Sequence, residues 1–123
     1  MTIQEILAQV DELTPNTYSA QRKLQWLSDL DGRLYRELIQ PRAGAERFYW
    51  PEEGYDSDEQ ELLAPPPYGA DLYLRYLQAR IAAENGEIHR YAQYSTLFNQ
   101  AYAEFAAWYA RDHMPLQRGR WRL

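Results

Sequence analysis

Residues 62–115, LLAPPPYGADLYLRYLQARIAAENGEIHRYAQYSTLFNQAYAEFAAWYARDHMP, decide the fold. Pro65, Pro66 and Pro67 stiffen the entry to a helical run that stops at Asn85-Gly86, a strong C-terminal signal. A longer run follows at once. In it Tyr91, Tyr94, Phe98, Tyr102, Phe105 and Tyr109 recur at intervals of 3, 4, 4, 3 and 4. At 100° per residue they fall within an arc of about 80°. Gln93, Gln100, Glu104, Ala107 and Arg111 take the far side. The spacing predicts a third helix over 70–85 and a fourth over 87–113, folded as an antiparallel hairpin. The stripe reads as core; an aromatic ligand platform is the other reading. Buried tyrosine hydroxyls need partners, so part of the stripe also suits a subunit interface where one end of each ring stays wet.

Working outward, the first helix is expected over 2–13. Thr2 followed by Glu5 has the form of a capping box, and Ile3, Ile6, Leu7, Val10 and Leu13 make one apolar face. Thr14-Pro15-Asn16 ends it. A second helix is expected over 19–39, capped by Ser19. Leu24, Leu27, Leu30 (or Asp31), Leu34 and Leu38 lie on its apolar side. Gly32 inside that pattern marks a close crossing, a bend or a tolerated glycine. Residues 40–69 form a long Pro/Gly-rich acidic loop, and loops of this length are commonly functional. Short extended segments near Arg47–Trp50 and Glu61–Ala64 are candidates to pair with each other. Residues 115–123 read as a C-terminal tail. The fold class is therefore all-α: a single domain, 1–123, holding a small bundle of about four helices.

Composition agrees. Leu, Ile, Val and Phe total only 24 of 123 residues, which alone would suggest disorder, but 11 Tyr and 4 Trp restore the apolar area a core needs. Val, Ile and Thr number ten, too few for a central sheet. The absence of Cys removes disulfides and thiolate metal sites and suits an intracellular protein. No apolar run approaches a membrane span, and MTIQEILAQVDEL does not read as a signal peptide. A net charge of −5 opposes general nucleic-acid binding.

Candidate chemistry is sparse. In 52–61, EEGYDSDEQE, six of ten residues are acidic: Glu52, Glu53, Asp56, Asp58, Glu59 and Glu61. Asp56, Asp58 and Gln60 imitate the first ligands of a calcium loop, but Glu61 stands where the loop requires Gly. A solvated loop and an acidic docking or lumen-facing loop remain. His89 and His113 are about 36 Å apart along one helix, so one subunit cannot bring them to a shared metal. Asp29 and Asp31 fit a solvated helix face. No hydrolase, zinc-protease or nucleotide-binding pattern is present. No enzyme activity, cofactor or metal is expected. In the tail, Arg118, Arg120 and Arg122 alternate with Gly119, Trp121 and Leu123. That pattern fits either a disordered end or an extended segment with Arg on one side and Trp121 and Leu123 on the other.

The order of elements resembles the head–tail connector (adaptor) proteins of tailed bacteriophages and prophages. The resemblance covers most of the chain. It is most specific at Tyr55-Asp56, Glu61 to Tyr68 (ELLAPPPY), Tyr73 to Leu77, the Glu84 to Glu87 break and Tyr91 to Asn99. It closes with Tyr102, Phe105, Trp108-Tyr109 and Pro115; the opening IQEIL and Trp26-Leu27 match more loosely. The resemblance implies a helical subunit of a dodecameric ring, with a monomer as the alternative state while the portal is absent, that docks below the portal protein, extends the DNA channel and presents a surface to the next tail or stopper protein. DNA would pass without sequence-specific binding. The location implied is the virion neck, with assembly in the host cytoplasm. It implies no catalytic residues. It gives Arg118, Arg120, Trp121, Arg122 and Leu123 the task of gripping the portal, and the acidic loop is assigned to the lumen or to a subunit boundary. The competing reading is an intracellular helical protein-binding module, or small regulator, with no ring assembly.

Overall fold

A computed structural model describes residues 1–116, which form four α-helices: α1 (Ile3–Leu13), α2 (Ala20–Leu34), α3 (Tyr68–Glu84) and α4 (Ile88–Asp112). β pairing among the described residues is confined to two isolated bridges, Thr2 with Glu61 and Arg42 with Pro115. No helix among them is long and apolar enough to cross a membrane.

The start of α1 is fixed by its own sequence. The Thr2 hydroxyl accepts from Glu5 N–H, and the Glu5 carboxylate accepts from Thr2 N–H at 2.8 Å. Ile3, Ile6, Leu7 and Val10 are buried, but Leu13, expected on the same face, is exposed where the chain turns away at Thr14. Lys23 is buried on α2 and closes the turn between the two helices. Its ammonium lies 2.5 Å from Asp11 and donates to Asn16 at 3.1 Å.

α2 runs through Gly32 without a break and ends in one widened turn over Tyr35–Ile39, closed by Gln40 N–H to the Tyr35 carbonyl at 2.8 Å. Gly32 marks a close approach by the loop, not by another helix. A Cβ there would meet the Trp50 ring at 3.0 Å.

α3 begins two residues before the expected Ala70. Proline tolerates a helix start because its missing N–H is not needed there, so Pro67 serves as the N-cap. α3 is the central helix: Leu72, Tyr73, Leu74, Leu77, Gln78 and Ile81 are buried, and it contacts α1, α2 and α4. Its contact with α4 is the most extensive in the protein. Tyr68 stacks on Trp108 at 4.9 Å while Tyr76 meets Phe98 at 5.3 Å, so the two helices run in opposite directions. The turn between them uses Gly86 at φ +74°, the left-handed region that a side chain disfavours.

The loop segments near Arg47–Trp50 and Glu61–Ala64 do not pair with each other. Each end of the loop pairs instead with a neighbour that has free backbone groups. Ile3 and Gln4, in the first turn of α1, have N–H groups without helical partners. They donate to the carbonyls of Gln60 (3.0 Å) and Asp58 (2.8 Å), and Leu62 N–H donates to the Met1 carbonyl. At the other end Ala43 N–H donates to Met114 and Leu116 N–H to Pro41. The Arg42 guanidinium reaches the His113 carbonyl at 2.8 Å.

Candidate functional site

The acidic loop lies against the bundle with its carboxylates outward. Glu52, Glu53, Asp56, Asp58, Glu59 and Glu61 are all exposed, whereas Tyr55, Leu62, Leu63 and Ala64 between and after them are buried. The Gln60 side chain accepts from the N–H groups of Asp56 and Ser57, at 2.8 and 3.0 Å. Gln60 therefore braces the turn from within, a use that competes with any role as a cation ligand. Gly54, at φ +88°, sits so close to Ser28 that a Cβ would meet Oγ at 2.4 Å. The same hydroxyl accepts from Tyr55 N–H at 2.8 Å.

What holds this loop is Asp31, which is fully buried. The expectation of a solvated Asp29/Asp31 pair holds for Asp29 alone. Asp31 is two residues further on, which turns it by 200° to the core side of α2. One oxygen accepts from the Tyr73 hydroxyl of α3 at 2.5 Å. The other accepts from Leu63 N–H at 2.9 Å and from the Tyr55 hydroxyl. Tyr73 Oη in turn accepts from Ala64 N–H at 2.9 Å. One carboxylate thus ties α2, α3 and two points of the loop together. Burial pushes the Asp31 carboxyl up to about 6, against the lowering effect of the bonds from Tyr55, Tyr73 and Leu63. Burial and the adjacent carboxylate also raise both tyrosine hydroxyls.

The aromatic stripe divides along α4. Phe98, Phe105 and Tyr109 are buried, and Tyr94 and Tyr102 are half-buried. Tyr91 is 46% exposed, and beside it Ile88 is 77% exposed. The core reading therefore fails for the first turns of α4. There the facing residues of α3 are Ala82 and Ala83, too small to cover a phenol ring, and they line a shallow recess with Ile88 and Tyr91. The expected far side, Gln93, Gln100, Glu104, Ala107 and Arg111, is exposed throughout. Tyr102 donates to Glu37 at 2.7 Å. That bond, with help from Arg33, holds the Glu37 carboxyl below its usual range despite some opposing desolvation.

His89 is exposed at the first turn of α4, and His113 stacks on Tyr109 at 3.8 Å with its Nδ1 against the Tyr109 carbonyl. No group of three or more metal-ligating side chains gathers among the described residues. Arg118, Arg120, Trp121, Arg122 and Leu123 lie outside the described residues. No protein-family model matches the chain, and neither a curated protein nor a solved structure matches it.

Sequence reasoning missed Asp31 and Lys23. For Asp31 a signal existed: it falls at a position that the leucine spacing of α2 assigns to the apolar face. A carboxylate there has to find donors, and a tyrosine-rich chain supplies them.

Proposed function

We propose that this chain is a structural subunit of a head–tail connector ring of a tailed phage or prophage. In this reading it docks below the portal, extends the DNA channel and joins head to tail. The observation that carries the reading is the uncovered apolar end of the α3–α4 pair. Ile88 and Tyr91 stand exposed on a helix whose other end is core, an arrangement that a neighbouring subunit would complete. The α3–α4 pair is the hairpin of such a subunit, and the sequence resemblance runs through both helices. The outward carboxylates of 52–61 suit a channel wall, because they repel phosphate and limit sticking of passing DNA. Residues 118–123, with three arginines and Trp121, are assigned to the portal, since Arg and Trp are frequent interface anchors.

Electron microscopy of the protein mixed with the portal ring encoded near it tests this. The expected image is an added ring below the portal with the portal's symmetry. Bare portals at high protein concentration would overturn the reading in favour of a helical protein-binding module, for which the same exposed face would be the docking surface.

A further inference from the structure

The part of the loop from Gly54 to Ala64 buries Tyr55, Leu62, Leu63 and Ala64 and is held to the bundle by few polar groups. Its polar ties inward are Ser28 and Asp31 on α2, Tyr73 on α3, and the start of α1, through the Met1–Gln4 backbone and the Met1 ammonium paired with Glu61 at 2.9 Å. Asp31 takes part in two of these directly and in a third through Tyr73. We propose that Asp31 is a latch: it holds the segment 54–64 shut against α2 and α3, and that segment opens as one unit, together with the first turn of α1, while the rest of the bundle stays folded.

The geometry gives three reasons. First, the bonds are shared, so they fail together: withdrawing the carboxylate frees Tyr55 and Leu63 and leaves Tyr73 with only Ala64 to hold. Second, the segment caps α1. The N–H groups of Ile3 and Gln4 are bonded to the Gln60 and Asp58 carbonyls, so lifting the segment uncaps that helix. Third, although Tyr55, Leu62, Leu63 and Ala64 belong to the common buried cluster, the α3–α4 side of that cluster has contacts of its own. Phe98 meets Tyr76 and Phe105 meets Tyr68, both on α3, and Tyr109 meets Phe48, which lies in the loop but outside the segment.

The latch also senses pH. The titratable groups that face Asp31 are Tyr55 from the loop and Tyr73 from α3; no basic side chain contributes to its environment. Its ionised form is therefore buried with hydrogen-bond donors but without a counter-charge. Closed, the carboxyl titrates near 6; open to water, it returns to its ordinary value of 3.8. The closed state binds the proton more tightly. Closure is strongest below about pH 4 and weakens as pH rises through 6, then levels off.

Amide hydrogen exchange on the full chain reads this residue by residue. The amides of Tyr55, Leu63, Ala64, Ile3 and Gln4 are expected to share one opening constant, larger than that of Leu77 or Phe105. After correction for intrinsic rates, that constant should rise by on the order of 100-fold between pH 4 and pH 7. Asp31→Asn should remove the rise with pH, leaving only the opposite trend of Glu5, whose carboxyl is held below its usual range by the bond from Thr2 N–H and is released with the first turn of α1. Tyr55→Phe removes one tie on the loop side only, so it serves if the Asn variant does not fold. It should speed exchange at Leu63, Ala64, Ile3 and Gln4 and leave Leu77 and Phe105 unchanged. Exchange at all these sites through global unfolding alone, or a Tyr55→Phe effect spread evenly over the molecule, would overturn the latch. So would an opening constant in the native chain that does not change with pH.

Discussion

Asp31 shows how much one side chain's position decides. An aspartate facing water would add little, but this one is wholly inside and makes its own pH dependence. Its folded value is raised to about 6 from 3.8. The stability it contributes is present below the unfolded value and lost as pH rises through the folded one. Relative to Asp31→Asn, the native chain should lose on the order of 3 kcal/mol of stability between pH 4 and pH 7. Denaturant titrations of both proteins across that range measure it. Carboxylates held below their usual range, such as Asp11, where the bonds from Lys23 and Asn16 outweigh desolvation, push the other way. They are common to both proteins and cancel in the difference. The aromatic stripe supplies a second residue-level contrast. Phe105→Ala should cost about 3–5 kcal/mol because its ring is fully enclosed. Tyr91→Ala should cost well under 1 kcal/mol, because much of that ring already meets water. Equal losses at the two sites would show that the exposed end of α4 is covered in solution. Sequence spacing separates the two faces of a helix and so identified Phe105. It says nothing about what stands opposite, and Tyr91 is exposed because Ala82 and Ala83 lie there.

At the scale of elements, what was legible was local. Thr2 and Glu5 are three residues apart and satisfy each other, so α1 could be started correctly from sequence. Ser19 before α2 and Asn85-Gly86 after α3 work the same way. The loop was legible only as a loop. Its pairing with α1 and with residues 114–116 depends on which backbone groups are left free by elements far away in the chain, and no short window of sequence carries that. Gly69 is a case in point. In sequence it falls in the Pro/Gly-rich loop, one residue before the expected start of the helix. In the structure a Cβ there would lie 2.3 Å from the Ala64 carbonyl oxygen. That carbonyl has little room to retreat, because Ala64 N–H is held by Tyr73. Gly69→Ala should therefore destabilise by about 1–2 kcal/mol, the overpacking cost exceeding the gain in helix propensity. Chemical denaturation measures it, and a stabilised variant would mean that the junction of loop and α3 is looser than this contact requires.

The whole molecule joins a well-packed half to an uncovered end. Around α3 the cores of α1, α2 and the later part of α4 merge into one cluster of buried side chains. The end carrying Ile88 and Tyr91 contributes nothing to that cluster and is exposed. If the proposed ring is correct, this end is where a change can separate folding from assembly. Ile88→Glu with Tyr91→Glu adds two charges to a surface already in water, so the midpoint of thermal unfolding should move little. The same charges would be buried without partners at a subunit boundary, which is costly, so ring formation on the portal should fail. Deleting residues 117–123 makes a complementary variant: the folded core should be unaffected, and docking should be lost if those residues grip the portal. The two variants separate the contacts. Loss of the ring in the charged variant alone would assign assembly to the end of α4 and leave the tail without a role. Loss in the truncated variant alone would assign docking to the tail and remove the exposed face from the proposal.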